Sequence, residues 1–339
     1  MGEIAKGVLG GAWTLVAGWI LPTALNLSIF FFAVAPSIRR TGAIADLWPT
    51  TSAGIMLLLF VSSLLFGLVL SAVQSPLYRL LEGYLFWPAA AYAHGCSRNR
   101  RAKAELQDRL MLLRLEHREA PLSAAAAADL RRLEADPRIT KSASKDRRRT
   151  DTQRALLREK LARFPIDDSQ ITPTRLGNAI RRFEEYGYNR YRLDTQVLWN
   201  ELTGAAPEQI RRQVDLARAS ADFFVALLAG HVAVAIAASA VLASAHARAA
   251  VLLTTIVTVV SLALLWYRSA VTATDEWAAA VRALVNLGRK PLAEALGLSL
   301  PPTLDGERTM WTLVTRLAKQ PYHERRAALD PYRTNSPLP

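Results

Sequence analysis

The chain is poor in the residues that hold metals and disulfides. Its single cysteine among 339 residues, Cys96, rules out a disulfide within the chain, and a lone thiol suits a reducing compartment. Its five histidines are scattered: His94 lies two residues from Cys96 with no second pair nearby, and His117, His231, His246 and His323 stand apart. Zinc needs three or four His, Cys or acidic ligands at usable spacing, so no metal site is expected. Also missing are a Walker-type loop, a G-x-G-x-x-G after a strand and a G-x-S-x-G nucleophile elbow. Asp167-Asp168 is a carboxylate pair, but adjacent acids on a turn more often cap or meet solvent than catalyse. Neither an enzyme nor a cofactor is indicated. There is no internal repeat and no convincing strand.

The most telling absence is of charge. Four runs, Ala12–Ala35, Ala53–Val73, Phe223–Ala243 and Ala250–Tyr267, contain no Asp, Glu, Lys or Arg. Each has about 18 to 24 residues, the length a helix needs to cross ~30 Å of hydrocarbon. They are apolar all round, whereas a helix on a soluble core alternates faces with period 3.6. The expected fold is all-α: a polytopic membrane protein with four transmembrane helices in two hairpins and a helical cytoplasmic insert between the second and third. The expected boundaries are a first hairpin over 1–74, a basic cytoplasmic domain over 75–222, a second hairpin over 223–267 and a helical cytoplasmic tail over 268–339. The first run ends Ala33-Val34-Ala35, a small-x-small cleavage pattern, but it is too long for a signal core and Pro36 would follow the cut. It reads as an uncleaved span. The opening Met-Gly lacks the Ser/Thr of a myristoylation signal, with Lys6 at that position.

Charge then sets the orientation. The formal net charge is +13, and residues 75–222 hold 28 Lys and Arg against 20 Asp and Glu. The tail from Arg268 holds 10 basic and 7 acidic residues. Near the membrane ends of the insert lie Arg79, Arg98, Arg100, Arg101 and Lys103 on one side and Arg211, Arg212 and Arg218 on the other, which points inward by the positive-inside rule. Arg39 and Arg40 in the first hairpin loop weigh weakly the other way. The N-terminus, insert and tail are therefore expected in the cytoplasm.

The insert reads as a series of helices. Residues 77–87 mix aromatics with Arg79 and suit a juxtamembrane segment at headgroup level. Arg100–Glu119 has Leu106, Leu110 and Leu113 at helical spacing, and Ser123 caps an alanine-rich helix ending near Pro137. Residues 138–150 have almost no apolar side chains and read as an exposed or disordered segment; their Arg138, Lys141, Lys145, Arg147, Arg148 and Arg149 suit anionic lipid headgroups. Nucleic acid is disfavoured, because interleaved stacking aromatics are missing. A helix over 152–164 follows. Thr174 is placed to cap the next, which buries Leu176, Ile180 and Phe183 and stops at Gly187, and Asp194 starts a turn leading to Trp199. A last helix begins near Pro207 and runs into the third span. Beyond Tyr267 the helix continues to about Leu287 and breaks at Gly288 and Pro291; a short one from Gly306 packs through Met310, Leu313, Val314 and Leu317.

Polar residues inside the spans are few. Asn26 reads sooner as glue between helices than as a conduction site, and His231 as either a proton-linked or pore-lining group or a ring that reaches the headgroups or bonds a neighbouring helix carbonyl. Ala229, Ala233 and Ala237 at four-residue spacing allow close packing, within the chain or in a homo-oligomer.

The run Pro173-Thr174-Arg175-Leu176-Gly177-Asn178, the following Tyr191-Arg192-Leu193-Asp194 and Leu198-Trp199, and Leu81-Glu82-Gly83-Tyr84 together resemble a signature of uncharacterised actinobacterial multi-pass membrane proteins. This chain departs from that pattern at Arg192, where the pattern has Gly, and at Asn200, where it has Pro. The resemblance implies the four-span layout and a bacterial plasma-membrane location, and no activity. On physical grounds Gly177 allows close backbone approach, while Arg175, Asn178 and Asp194 suit a buried polar network; with Trp199 they form either a structural corner or one that binds a ligand or partner. The expected role is an integral plasma-membrane anchor presenting a cytoplasmic interaction domain to a protein partner. The alternative is an oligomeric channel or membrane effector gated by that domain.

Overall fold

In the computed structural model, residues 12–38, 51–118, 121–147, 150–243, 248–319 and 327–333 are described. Besides two short 3-10 helices, Asp168–Gln170 and Ala327–Tyr332, they form thirteen helices in chain order, with no strand among them. These are α1 (Ala12–Ile38), α2 (Ser52–Ala72), α3 (Gln74–Glu82), α4 (Ala89–Glu116), α5 (Ala124–Ala135), α6 (Pro137–Arg147) and α7 (Thr150–Leu161). After them come α8 (Arg175–Glu184), α9 (Tyr186–Tyr191), α10 (Trp199–Ala205), α11 (Glu208–Leu242), α12 (Ala249–Ala295) and α13 (Leu304–Lys319). Of these, α1, α2, α11 and α12 are long and apolar enough to cross a membrane.

The chain divides into two compact units, Met1–Leu77 with Tyr191–Pro339, and Tyr78–Arg190. The sequence reading drew the insert over 75–222. Residues 191–222 fall in the first unit because α10 and α11 pack along α12.

In the first unit α2 is built inside out. Its buried residues are Ser63 and Gly67, while Met56, Leu57, Phe60, Leu65 and Phe66 are exposed. A water-soluble helix does the reverse, so this surface suits hydrocarbon. α1 packs against both α2 and α11 through glycines. A Cβ on Gly67 would stand 2.9 Å from the Ile20 Cα, one on Gly230 would stand 2.1 Å from the Asn26 Nδ2, and one on Gly18 would stand 3.2 Å from the Asp222 Cβ. Where lipid supplies no hydrophobic drive, such close approach is what holds helices together. Pro22 leaves α1 unbroken: wide π turns over Val16–Ile20 and Phe30–Val34 flank it, and the first takes up the ladder mismatch at the proline. Farther along, Val34, Val234, Ala238, Leu252 and Val259 make a core between α1, α11 and α12.

The helix from Pro207 does run into the third apolar run as one element, α11. α12 does not break where expected. It passes through Gly288 and Pro291 and ends at Ala295 with Leu296 as its cap, where Gly297 at φ +69 allows the amides of Gly297 and Leu298 to donate to the carbonyls of Glu294 and Ala293. Gly288 is a packing residue instead: a Cβ there would stand 3.0 Å from Leu202 and 3.3 Å from Ala206. In α13 the buried face holds Glu307, Met310, Trp311 and Val314, with the expected Leu317 exposed.

The second unit is organised on α4. One side, with Leu112 and Leu115, packs on Leu133 of α5 and Ile139 and Ala143 of α6. The other, with Leu110 and Leu113, packs on Leu157 of α7. The expected exposed segment after Pro137 is helical up to Arg147. Asp136 is its cap, the Oδ1 accepting the Arg138 amide at 2.8 Å, and Pro137 takes the first position, where a helix tolerates it. Two apolar residues four apart, Ile139 and Ala143, anchor it, and so few were easy to miss.

Candidate functional site

Two motif segments that are 92 residues apart meet in the second unit. Glu82 ends α3, and Gly83 at φ +97 closes it with its amide on the Leu80 carbonyl and the Tyr84 amide on the Arg79 carbonyl. Pro173 lies against this turn: a Cβ on Gly83 would fall 2.2 Å from the Pro173 Cγ, and one on Gly95 of α4 would fall 2.5 Å from the Pro173 Cβ. Thr174 then does two jobs. Its hydroxyl accepts the Gly177 amide at 3.0 Å as the cap of α8, and it donates to the Glu82 carbonyl at 3.3 Å. Gly177 has no room for a side chain, with the Thr172 Oγ1 at 2.6 Å and the Glu82 oxygen at 2.7 Å from where a Cβ would be.

Asn178 is the buried polar hub. Its Oδ1 accepts the Thr172 amide at 2.9 Å, and its Nδ2 donates to the carbonyls of Thr172 (3.1 Å) and Thr174 (2.7 Å). Asn99 of α4 also donates to the Thr172 carbonyl, and the Cys96 thiol donates to that of Ile171. Sequence reasoning did not single out Asn99; a polar residue on the buried face of an amphipathic helix was the available signal. Lys103 is buried and donates to the Ile166 carbonyl and to the Asp168 carboxylate at 2.6 Å. Asp167 caps the short turn Asp168–Gln170 by accepting the Ser169 amide, and that bond holds its carboxyl below the usual range. The Asp167-Asp168 pair is thus a cap and an ion-pair partner.

The edge of this corner is charged. Arg181 reaches the Gln170 Oε1 at 2.7 Å, Glu185 at 2.9 Å and Glu184 at 3.6 Å. Burial pushes the Glu82 carboxyl up to about 7; the Glu184 carboxylate adds to the rise, and the Arg79 and Arg181 guanidiniums oppose it.

The expected network of Arg175, Asn178 and Asp194 is not one network. Arg175 is exposed on the first turn of α8. Asp194 belongs to the first unit, where it caps the turn before α10 by accepting the Gln196 and Val197 amides, and where Lys319 bonds its Oδ2 at 2.6 Å. Half-buried Trp199 begins α10. Beside them Tyr191 donates to the Asn286 Oδ1 at 2.9 Å, Arg289 stacks 4.5 Å over the Tyr191 ring, and buried Glu307 accepts from Arg289 and Trp311. Arg192 has φ +63, a left-handed conformation that glycine adopts without strain.

Inside the apolar helices, Asn26 donates to the carbonyls of Pro22 and, across the helix contact, Ala226. Buried His231 has both ring nitrogens engaged, Nδ1 on the Leu227 carbonyl at 2.9 Å and Nε2 accepting from the Trp266 indole at 3.3 Å. Asp222, passed over because it stands one residue outside the third apolar run, is buried in α11 with Arg218 at 3.9 Å. Of the basic stretch, Arg138 and Lys141 are exposed on α6; the side chains of Lys145 and Arg147, and the whole of Arg148 and Arg149, lie outside the described residues. No group of three potential metal ligands occurs among the described residues. Compared with known proteins, the chain matches no family profile, no curated protein and no solved structure.

Proposed function

We propose that this chain is an integral membrane protein of a bacterial plasma membrane, with its four apolar helices crossing as two hairpins and the segment between them, with both termini, in the cytoplasm. It serves as an anchor that presents the second unit to a cytoplasmic protein partner. The observation that carries this reading is the contrast between the two parts. In the apolar helices the serines and threonines bond back to carbonyls of their own helix and Asn26 and His231 bond across to a neighbour, whereas unit 78–190 has a closely fitted corner with Arg175 and the α4 arginines Arg98, Arg100 and Arg101 exposed around it. That unit holds 24 Lys and Arg against 15 Asp and Glu, which favours an acidic partner face and anionic headgroups alike. The channel alternative gains nothing from His231 or Asn26, since both are used in packing.

The test is photo-crosslinking from full-length protein in native membranes. Probes at Arg175 and Arg100 should give the same protein adduct, that from position 100 being lost on Arg175→Glu, while a probe at the outward-facing Phe60 of α2 should give lipid adducts. Absence of a protein adduct from either arginine position would count against the scaffold reading.

A further inference from the structure

Residues 83–97 contain no Asp, Glu, Lys or Arg, yet the stretch is too short to cross a bilayer. It is preceded by the partly buried Glu82 and the exposed Arg79 and followed by Arg98, Arg100 and Arg101. A short apolar segment in a soluble domain would pack into the core. Here Gly95 and Cys96 are buried but the large side chains are not: Phe86 is 85% exposed, Tyr84 50%, Trp87 38% and Tyr92 37%, and Leu80 just before the segment is 38% exposed. The backbone enforces the display. Phe86 has φ +57, a left-handed conformation that is costly for an aromatic residue, and it projects the ring from the loop between α3 and α4. The root of the loop is locked by the Gly83 turn against Pro173, and the Trp87 indole donates to the Leu80 carbonyl at 3.0 Å.

We infer that the loop Tyr84–Trp87, with Leu80 and Tyr92 beside it, is an interfacial anchor that seats in the headgroup–acyl boundary of the bilayer. Three features select lipid over a protein partner. The tip is aromatic, with the hydroxyls of Tyr84 and Tyr92 as polar handles beside Phe86 and Trp87, the composition of a membrane-interface belt. Its flanking exposed charges on α3 and α4 are cationic and suit anionic headgroups. And the loop is continuous with an apolar helix: Phe86 follows Ala72, the last residue of α2, by 14 residues. This inference rests on the proposal that α2 crosses a membrane.

Nitroxide labels on full-length protein in phosphatidylcholine/phosphatidylglycerol nanodiscs test it, in a Cys96→Ser background, where the serine hydroxyl can keep the bond to Ile171. Single variants Phe86→Cys and Tyr92→Cys should collide several-fold more with oxygen than with a water-soluble nickel chelate. Ile166→Cys, 61% exposed elsewhere in the same unit, should show the opposite preference. Phe60→Cys in α2 reports on the membrane reading separately. Nickel access at position 86 equal to that at 166 overturns the anchor, as does shielding from both reagents, which would mean that protein covers the loop. If position 60 also lies in water, the membrane reading itself fails.

Discussion

At the residue scale the corner of the second unit depends on space that only glycine leaves. Gly177→Ala puts a methyl group against the Thr172 hydroxyl and the Glu82 backbone, and should destabilise this unit by about 1–3 kcal/mol. Gly204→Ala, where nothing lies within 4 Å, should be neutral or slightly stabilising. Protection from limited proteolysis measures both, and equal effects would remove the argument from close packing. Glu82 gives the unit a pH dependence. Its carboxyl titrates near 7 in the folded chain and at 4.5 ordinarily, so between those values the folded state holds the extra proton. Stability from this group is therefore full below about pH 4.5 and is lost as pH rises through 7. Glu82→Gln should flatten that loss and raise stability at pH 8 by about 1 kcal/mol, after allowing for solvent reaching the group. A variant whose melting temperature falls between pH 5 and pH 8 as steeply as the parent's would contradict this. Thr174 as a cap and Leu176, Ile180 and Phe183 as a buried face were legible, since capping and period are local. That Glu82 and Thr174 touch was not, because nothing local encodes a contact across 92 residues.

At the element scale, helix existence was easier to read than helix ends. Gly288 and Pro291 suggested a stop, yet α12 continues through both and ends at Ala295, two residues before Gly297; what decides is a left-handed glycine with two carbonyls to satisfy, which composition does not mark. Likewise Gly187 lies inside α9, and α8 ends at Glu184 with Glu185 as its cap. The same locality explains α6, whose burial rests on Ile139 and Ala143 alone. Between the apolar helices the key contact is Asn26 in the notch at Gly230. Gly230→Ala should lower the melting temperature in detergent, and adding Asn26→Ala should restore most of the loss, because the methyl then occupies the vacated amide's space. Coupling of about 0.5–3 kcal/mol is expected for such touching residues. Strictly additive losses would mean that the two helices do not meet there.

At the scale of the whole molecule, the four charge-free runs made the architecture legible because a bilayer-crossing helix must satisfy its backbone internally and present apolar side chains outward. Four helices among the described residues are long and apolar enough for this, one of them, α2, with its apolar residues exposed and its Ser63 and Gly67 buried. The proposed direction of crossing rests on the charge asymmetry alone. Labelling with a membrane-impermeant maleimide in intact and permeabilised bacteria measures it, using single cysteines in the Cys96→Ser background. Cysteines at Ser169 in the second unit and Arg316 in the tail should react only after permeabilisation. Those at Thr41 and Ala247, in the connections between paired apolar runs, should react in intact cells. Reaction of the Ser169 position in intact cells, or of Ser169 and Arg316 from opposite sides, would contradict a four-span anchor with a cytoplasmic domain.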